Sequence, residues 1–146
     1  MLHVLLMDDN DLYRQVIARL LESQPDRVIR VLLVDDNEHY RQVIARLLER
    51  EPDMEVVGVA GSLAEARAML EGVEVALLDS TLPDGDGIEL IGELREASPG
   101  AKVLLMSAAM EQVHLEQTLA AGADGAVNKL EPAARLFVAV RELVGG

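Results

Sequence analysis

From residue 31 onward, short apolar runs alternate with stretches of helical period, and no other feature of the chain constrains its fold as tightly. Residues 31–34 are all apolar and stop at Asp35 and Asp36, the pattern of a strand buried on both faces. Asn37 is placed to cap a helix in which Tyr40, Val43, Ile44, Leu47 and Leu48 recur at helical spacing. A strand over 54–60 follows, and Ser62 with Glu65 makes a capping box for a helix through Leu70. Residues 73–78 read as a third strand and 82–87 as a turn. Ile88, Leu90, Ile91 and Leu94 then mark a helix that stops before Pro99 and Gly100. The series ends with a strand over 102–106, a helix through Ala121 closed by Gly122, a short strand over 125–128 and a helix from Pro132 through Val144.

Five strands alternating with five helices through short connections imply an α/β fold with a doubly wound parallel sheet, because parallel neighbours need crossover helices. Ligands of such sheets sit beyond the carboxyl ends of the strands, where the strand order reverses. Asp35 and Asp36 end the first expected strand, Asp79 the third, Ser107 the fourth and Lys129 the fifth. Three carboxylates at one edge repel one another unless a cation sits among them, and hard oxygen ligands suit Mg²⁺. A carboxylate can also attack phosphorus to give an acyl phosphate, with a metal, an ammonium and a hydroxyl stabilising the phosphoryl oxygens. Asp79, Mg²⁺, Lys129 and Ser107 would supply those parts. Taken singly, each has a plainer reading: Asp35, Asp36 and Ser107 as turn or capping residues, Asp79 as a strand-end turn residue, Lys129 as a solvated charge. His3, His39 and His114 lack ligand spacing, and Tyr13, Tyr40 and Phe137 read as packing residues.

Composition narrows the function classes. The 146 residues are half apolar, enough for one domain with a real core. Thirteen basic against 26 acidic side chains leave a net charge of -13, from which we expect no direct nucleic-acid partner and no membrane association. Cysteine is absent, which excludes disulfides and thiolate metal sites and fits a cytoplasmic setting. The amino terminus breaks its apolar run at Asp8 and Asp9, well short of the roughly 20 residues of a membrane span.

The motifs VLLVDDN, LLDSTLPDGDG, LLMSA and NK, in that order, resemble the CheY-like receiver domain of two-component response regulators over residues 31 to about 144. The stretch LLEREPDMEVVGVAGSLAEA resembles the LuxR-type (NarL-like) branch. The resemblance implies a flavodoxin-like five-stranded sheet of order 2-1-3-4-5. It implies phosphorylation at Asp79, catalytic roles for Ser107 and Lys129, and Mg²⁺ held by Asp35, Asp36, Asp79 and the Thr81 backbone carbonyl. A sensor histidine kinase is then the phosphodonor, and the domain is a switch rather than an enzyme acting on a separate substrate. Ala126 stands where the family often has an aromatic switch residue, and Leu130 where proline is common. Two other readings are a Mg²⁺-dependent phosphohydrolase, whose acid two residues after the nucleophile is replaced here by Thr81, and a phosphorylation-independent interaction or dimerisation module.

Residues 4–26 reappear as residues 31–53, with five differences in 23 positions. One central slot cannot hold both strand-helix units. The second copy is expected to fill it, because the first would loop out about 27 residues. We therefore divide the chain into a duplicated strand-helix segment over 1–30 and a receiver domain over 31–146. The stripe of Tyr13, Val16, Ile17, Leu20 and Leu21 in the surplus copy leads us to expect a homodimer.

Overall fold

The computed structural model describes residues 28–108, 116 and 119–145. Five parallel strands form one sheet: β1 (Ile29–Val34), β2 (Met54–Ala60), β3 (Val75–Asp79), β4 (Lys102–Ser107) and β5 (Gly125–Asn128), in the order β2-β1-β3-β4-β5. The expected order is thus the observed one. Among the described residues the helices with both ends defined are α1 (Glu38–Glu49), α2 (Leu63–Ala66, extended by a 3-10 turn at Arg67–Met69), α3 (Leu90–Ala97) and α4 (Ala133–Gly145). Of the helix expected before Gly122, Glu116, Leu119 and Ala120 are helical and the greater part lies outside the described residues. No helix among the described residues is long and apolar enough to cross a membrane.

The unbroken apolar runs follow from burial on both sheet faces. Along β1, Val31 and Leu33 join Ile44 and Leu48 of α1 and Leu136, Phe137 and Val140 of α4. Leu32 and Val34 face the other way, toward Leu63 and Ala66 of α2 and Leu90, Ile91 and Leu94 of α3. Every residue of β3 is buried, as a central strand between two helical layers requires.

β1 is drawn from the second copy of the repeat. Its Ile29 N–H donates to the Asp53 carbonyl at 2.8 Å, and Met54 N–H to the Glu51 carbonyl at 3.1 Å, so α1 runs into β2 through a tight turn. Arg141 of α4 clamps that turn, donating to both Asp53 and Glu51. The Asp53 carboxyl is held below its ordinary range chiefly by that hydrogen bond. The first copy, residues 4–26, lies outside the described residues, as do His3, Tyr13 and His114. His39 is exposed, and Phe137 is a core residue as expected.

Local capping differs in detail from the expected box. Ser62 Oγ accepts from Glu65 N–H at 3.1 Å, but Glu65 reaches back to Gly61 N–H at 2.8 Å rather than to Ser62. The Asp84 carboxylate adds acceptors for Leu63 and Ala64 N–H at 2.9 and 3.0 Å, tying the loop after β3 to the start of α2. That loop is more ordered than a turn: Thr81–Leu82 pairs antiparallel with Gly85–Asp86, and Asp86 with Glu89 makes a complete capping box ahead of α3. The peptide after Lys129 is trans, as are all peptide bonds among the described residues.

Gly87 seats this loop against the end of β3. Its N–H donates to the Ser80 carbonyl at 3.1 Å, and a β-carbon there would lie 2.2 Å from the Asp79 carbonyl oxygen. The obstructing atom is backbone rather than the end of a flexible side chain, so it cannot easily give way. Gly87→Ala is expected to destabilise the fold by about 1–3 kcal/mol, the usual cost of forcing a methyl group into packed structure. Chemical denaturation checks this, and an unchanged midpoint would contradict the close approach.

Candidate functional site

Sheet register delivers the site. Val34 of β1 lies level with Leu78 of β3, so the next residue of each strand, Asp35 and Asp79, stand side by side. Asp79 pairs with Met106 of β4, and Ser107, the next residue, pairs with Asn128 of β5. Lys129 then follows, its N–H donating to the Ser107 carbonyl at 2.9 Å. All the sequence-predicted residues therefore lie at the carboxyl edge of neighbouring strands.

One carboxylate oxygen from each of Asp35, Asp36 and Asp79 falls within 4.8 Å of the others. Asp35 is wholly buried, Asp79 and Ser107 are buried, and Asp36 is exposed. Lys129 Nζ lies 2.7 Å from Asp35 Oδ2 and 3.4 Å from Asp79 Oδ2. Asp35 Oδ1 accepts from Asn37 N–H at 2.8 Å, while Asn37 Oδ1 accepts from Tyr40 N–H at 2.9 Å and caps α1. Asp79 Oδ1 accepts from Thr81 N–H at 3.3 Å. Thr81 is exposed at the mouth of the site.

The electrostatics follow from this crowding. Burial, then the nearby charge of Asp35, pushes the Asp79 carboxyl up to about 6, against the opposing pull of Thr81 N–H and Lys129. Burial by itself would lower Lys129, but its contacts with Asp35 and Asp79 outweigh that and hold it above its ordinary value. Lys129 offsets one of three carboxylate charges, which leaves a small anionic basin matched to a divalent cation.

Tyr40 belongs to the site as well as to the core. Its ring packs against the buried cluster around Ile44 and Leu48, and Lys129 Nζ sits 4.5 Å from the ring centroid. Burial, with Asp35 and Asp79 nearby, raises its hydroxyl although Lys129 pulls the other way. Helical periodicity reveals only the packing role. The signal for the second role is position: Tyr40 lies in the first turn of a helix that starts at the acidic edge. Ala126 is half-buried against the core, and Leu130 is 77% exposed.

Comparison with known proteins fits this arrangement. The response regulator receiver domain family matches residues 31–141. The chain is 37% identical to the DNA-binding transcriptional activator DevR/DosR of Mycobacterium tuberculosis, over all of this chain and 56% of that protein. Among solved structures, the signal receiver domain of the putative regulator NarL from M. tuberculosis is 31% identical with a TM-score of 0.74, over 82% of this chain and 98% of that one. A LuxR-family two-component response regulator from Aurantimonas is 30% identical with a TM-score of 0.73, over 81% and 86%.

One expectation is overturned. The absence of a nucleic-acid partner was inferred from net charge, yet the chain spans little more than half the length of its curated relatives, one of them named as DNA-binding. The charge of a portion is no guide to what the remainder of such a regulator binds. Taken together, the 2-1-3-4-5 sheet, the acidic basin with its lysine and the family match place this chain among the response regulator receiver domains of two-component systems, in company with LuxR-type regulators.

Proposed function

We propose that Asp79 is the phosphoryl acceptor of this receiver domain and that it works with Mg²⁺ held by Asp35, Asp36, Asp79 and the Thr81 carbonyl. The observation that carries this reading is the buried Asp79 carboxylate, set between Asp35 and the Lys129 ammonium at the strand edge. One Asp79 oxygen attacks phosphorus, the bond from phosphorus to the donor's leaving atom breaks (imidazole nitrogen in a phosphohistidine, oxygen in acetyl phosphate), and an aspartyl phosphate remains. Lys129 Nζ, already 3.4 Å from Asp79, donates to a phosphoryl oxygen, and the Ser107 hydroxyl donates to another. Mg²⁺, when bound, neutralises negative charge on the phosphoryl group and on the three carboxylates. In the whole protein the phosphorylated face then controls a DNA-binding portion, in keeping with the transcriptional regulators to which the chain is similar.

With Mg²⁺ and acetyl phosphate, the protein is expected to gain the mass of one phosphoryl group, and Asp79→Asn to gain none. Asp36→Asn is expected to weaken the Mg²⁺ requirement's saturation by at least tenfold, whereas Asp9→Asn, in the first copy, leaves it within about twofold. A stoichiometric adduct on Asp79→Asn, or a loss in Asp9→Asn that matches Asp36→Asn, would contradict the assignment.

The raised Asp79 carboxyl also has a consequence for stability. Its folded value of about 6 exceeds that of an unfolded aspartate, near 4, so the folded state holds the proton more tightly between those two pH values. Stability from this group is present below about pH 4 and is lost as pH rises through 6. Metal-free protein should therefore lose melting temperature across that window. Asp79→Asn should flatten the loss, as should saturating Mg²⁺ at its upper end. An identical pH profile in wild type and Asp79→Asn would show that Asp79 does not carry the effect.

A further inference from the structure

The ammonium of Lys129 meets three groups: the Asp35 carboxylate at 2.7 Å, the Asp79 carboxylate at 3.4 Å and the face of Tyr40, 4.5 Å from the ring centroid. Two of these holders are anions shared with the basin that faces a divalent cation. The third is neutral. We infer that Tyr40 is a positioning residue for phosphoryl transfer, its ring holding the Lys129 ammonium in place when the carboxylates are engaged elsewhere. This rests on the reading of Asp79 as acceptor.

The physical case has three parts. A cation among Asp35, Asp36 and Asp79 draws on the same carboxylate charge that attracts Lys129 and repels the ammonium as well. The ring's attraction comes from its quadrupole, which metal coordination by the carboxylates leaves intact, and the ring competes for no phosphoryl oxygen. Lys129 is a flexible four-carbon stem with a freely rotating head, so an added holder matters more to it than it would to a planar guanidinium.

Tyr40 is itself tied to the acidic cluster. Asp35 Oδ1 accepts from Asn37 N–H, and Asn37 Oδ1 accepts from Tyr40 N–H. The cap that fixes a carboxylate of the basin therefore also fixes the helical turn that carries the ring. From the other side, Lys129 is set by the Ser107 carbonyl, and Asn128 Oδ1 accepts from Leu130 N–H at 2.8 Å. Ring and ammonium thus stand on two separately braced backbones that meet above Asp79.

The experiment compares wild type, Tyr40→Phe and Tyr40→Leu, each also in a Lys129→Met background, following the rate of phosphorylation by acetyl phosphate and Mg²⁺ binding. Tyr40→Phe keeps the ring and should react within about twofold of wild type. Tyr40→Leu should react about tenfold more slowly, with Mg²⁺ affinity and melting temperature little changed. In the Lys129→Met background, Tyr40→Leu should cause no further loss. A wild-type rate in Tyr40→Leu, or an equal slowing with and without Lys129, would overturn the inference. NMR of the metal-free wild type tests the placement independently of phosphorylation: the Lys129 ε-methylene protons should be shifted upfield by the ring and return in Tyr40→Leu. Unshifted protons would overturn the placement. A wild-type protein with shifted protons that gains no phosphoryl group would instead overturn the role of Asp79.

Discussion

Lys129 between Asp35 and Asp79 is the contact on which the rest of the site depends. A wholly buried carboxylate stands beside a second buried one, an arrangement that desolvation and like-charge repulsion both oppose. The ammonium at 2.7 and 3.4 Å offsets part of that opposition. Removing one partner of a buried ion pair typically costs about 3–5 kcal/mol, because the other charge is left stranded. The residual imbalance, three carboxylates against one ammonium, leaves the basin anionic, with oxygen ligands of the kind a small hard cation takes.

The fold supplies this contact through register. Parallel strands end together, and pairing of Val34 with Leu78 and of Ser107 with Asn128 lines up the residues that follow. Both hydrophobic layers are needed: α1 and α4 cover one face of β1 and β3, α2 and α3 the other. The loop from Asp79 to α3 is secured by Gly87, by the antiparallel pair of Thr81 with Asp86 and by Asp84 at the head of α2. Chemistry at the strand ends is thereby coupled to backbone held at several separate points.

Much of this was legible in the residues. Continuous apolar runs predict doubly covered strands because a central parallel strand exposes neither face, and the runs at 31–34 and 75–78 are wholly buried. Polar residues at the ends of the apolar runs are expected to gather at one sheet edge, and Asp35, Asp79 and Lys129 do meet there. Less legible was the pairing inside the loop after Asp79, where two-residue strands leave no periodicity, and the second role of Tyr40, since a ring that packs and a ring that carries a cation share one spacing. The repeat shows a different limit. Of the five positions that distinguish its copies, Glu38, His39 and Arg50 are exposed and Glu51 is partly buried, leaving Val34 alone in the core. Apart from Val34 and Glu51, the contacting residues are common to both copies, so side chains said little about which copy fills the slot; the tight connection into β2 belongs to the second.

The central claim is that phosphoryl transfer ends on the Asp79 carboxylate. Borohydride reduction of the protein after reaction with acetyl phosphate and Mg²⁺, followed by peptide sequencing in a mass spectrometer, reads the acceptor directly, because a reduced aspartyl phosphate becomes homoserine. The account predicts homoserine at position 79 and unchanged aspartate at positions 8, 9, 35 and 36; homoserine at any of those four, with Asp79 intact, would contradict it.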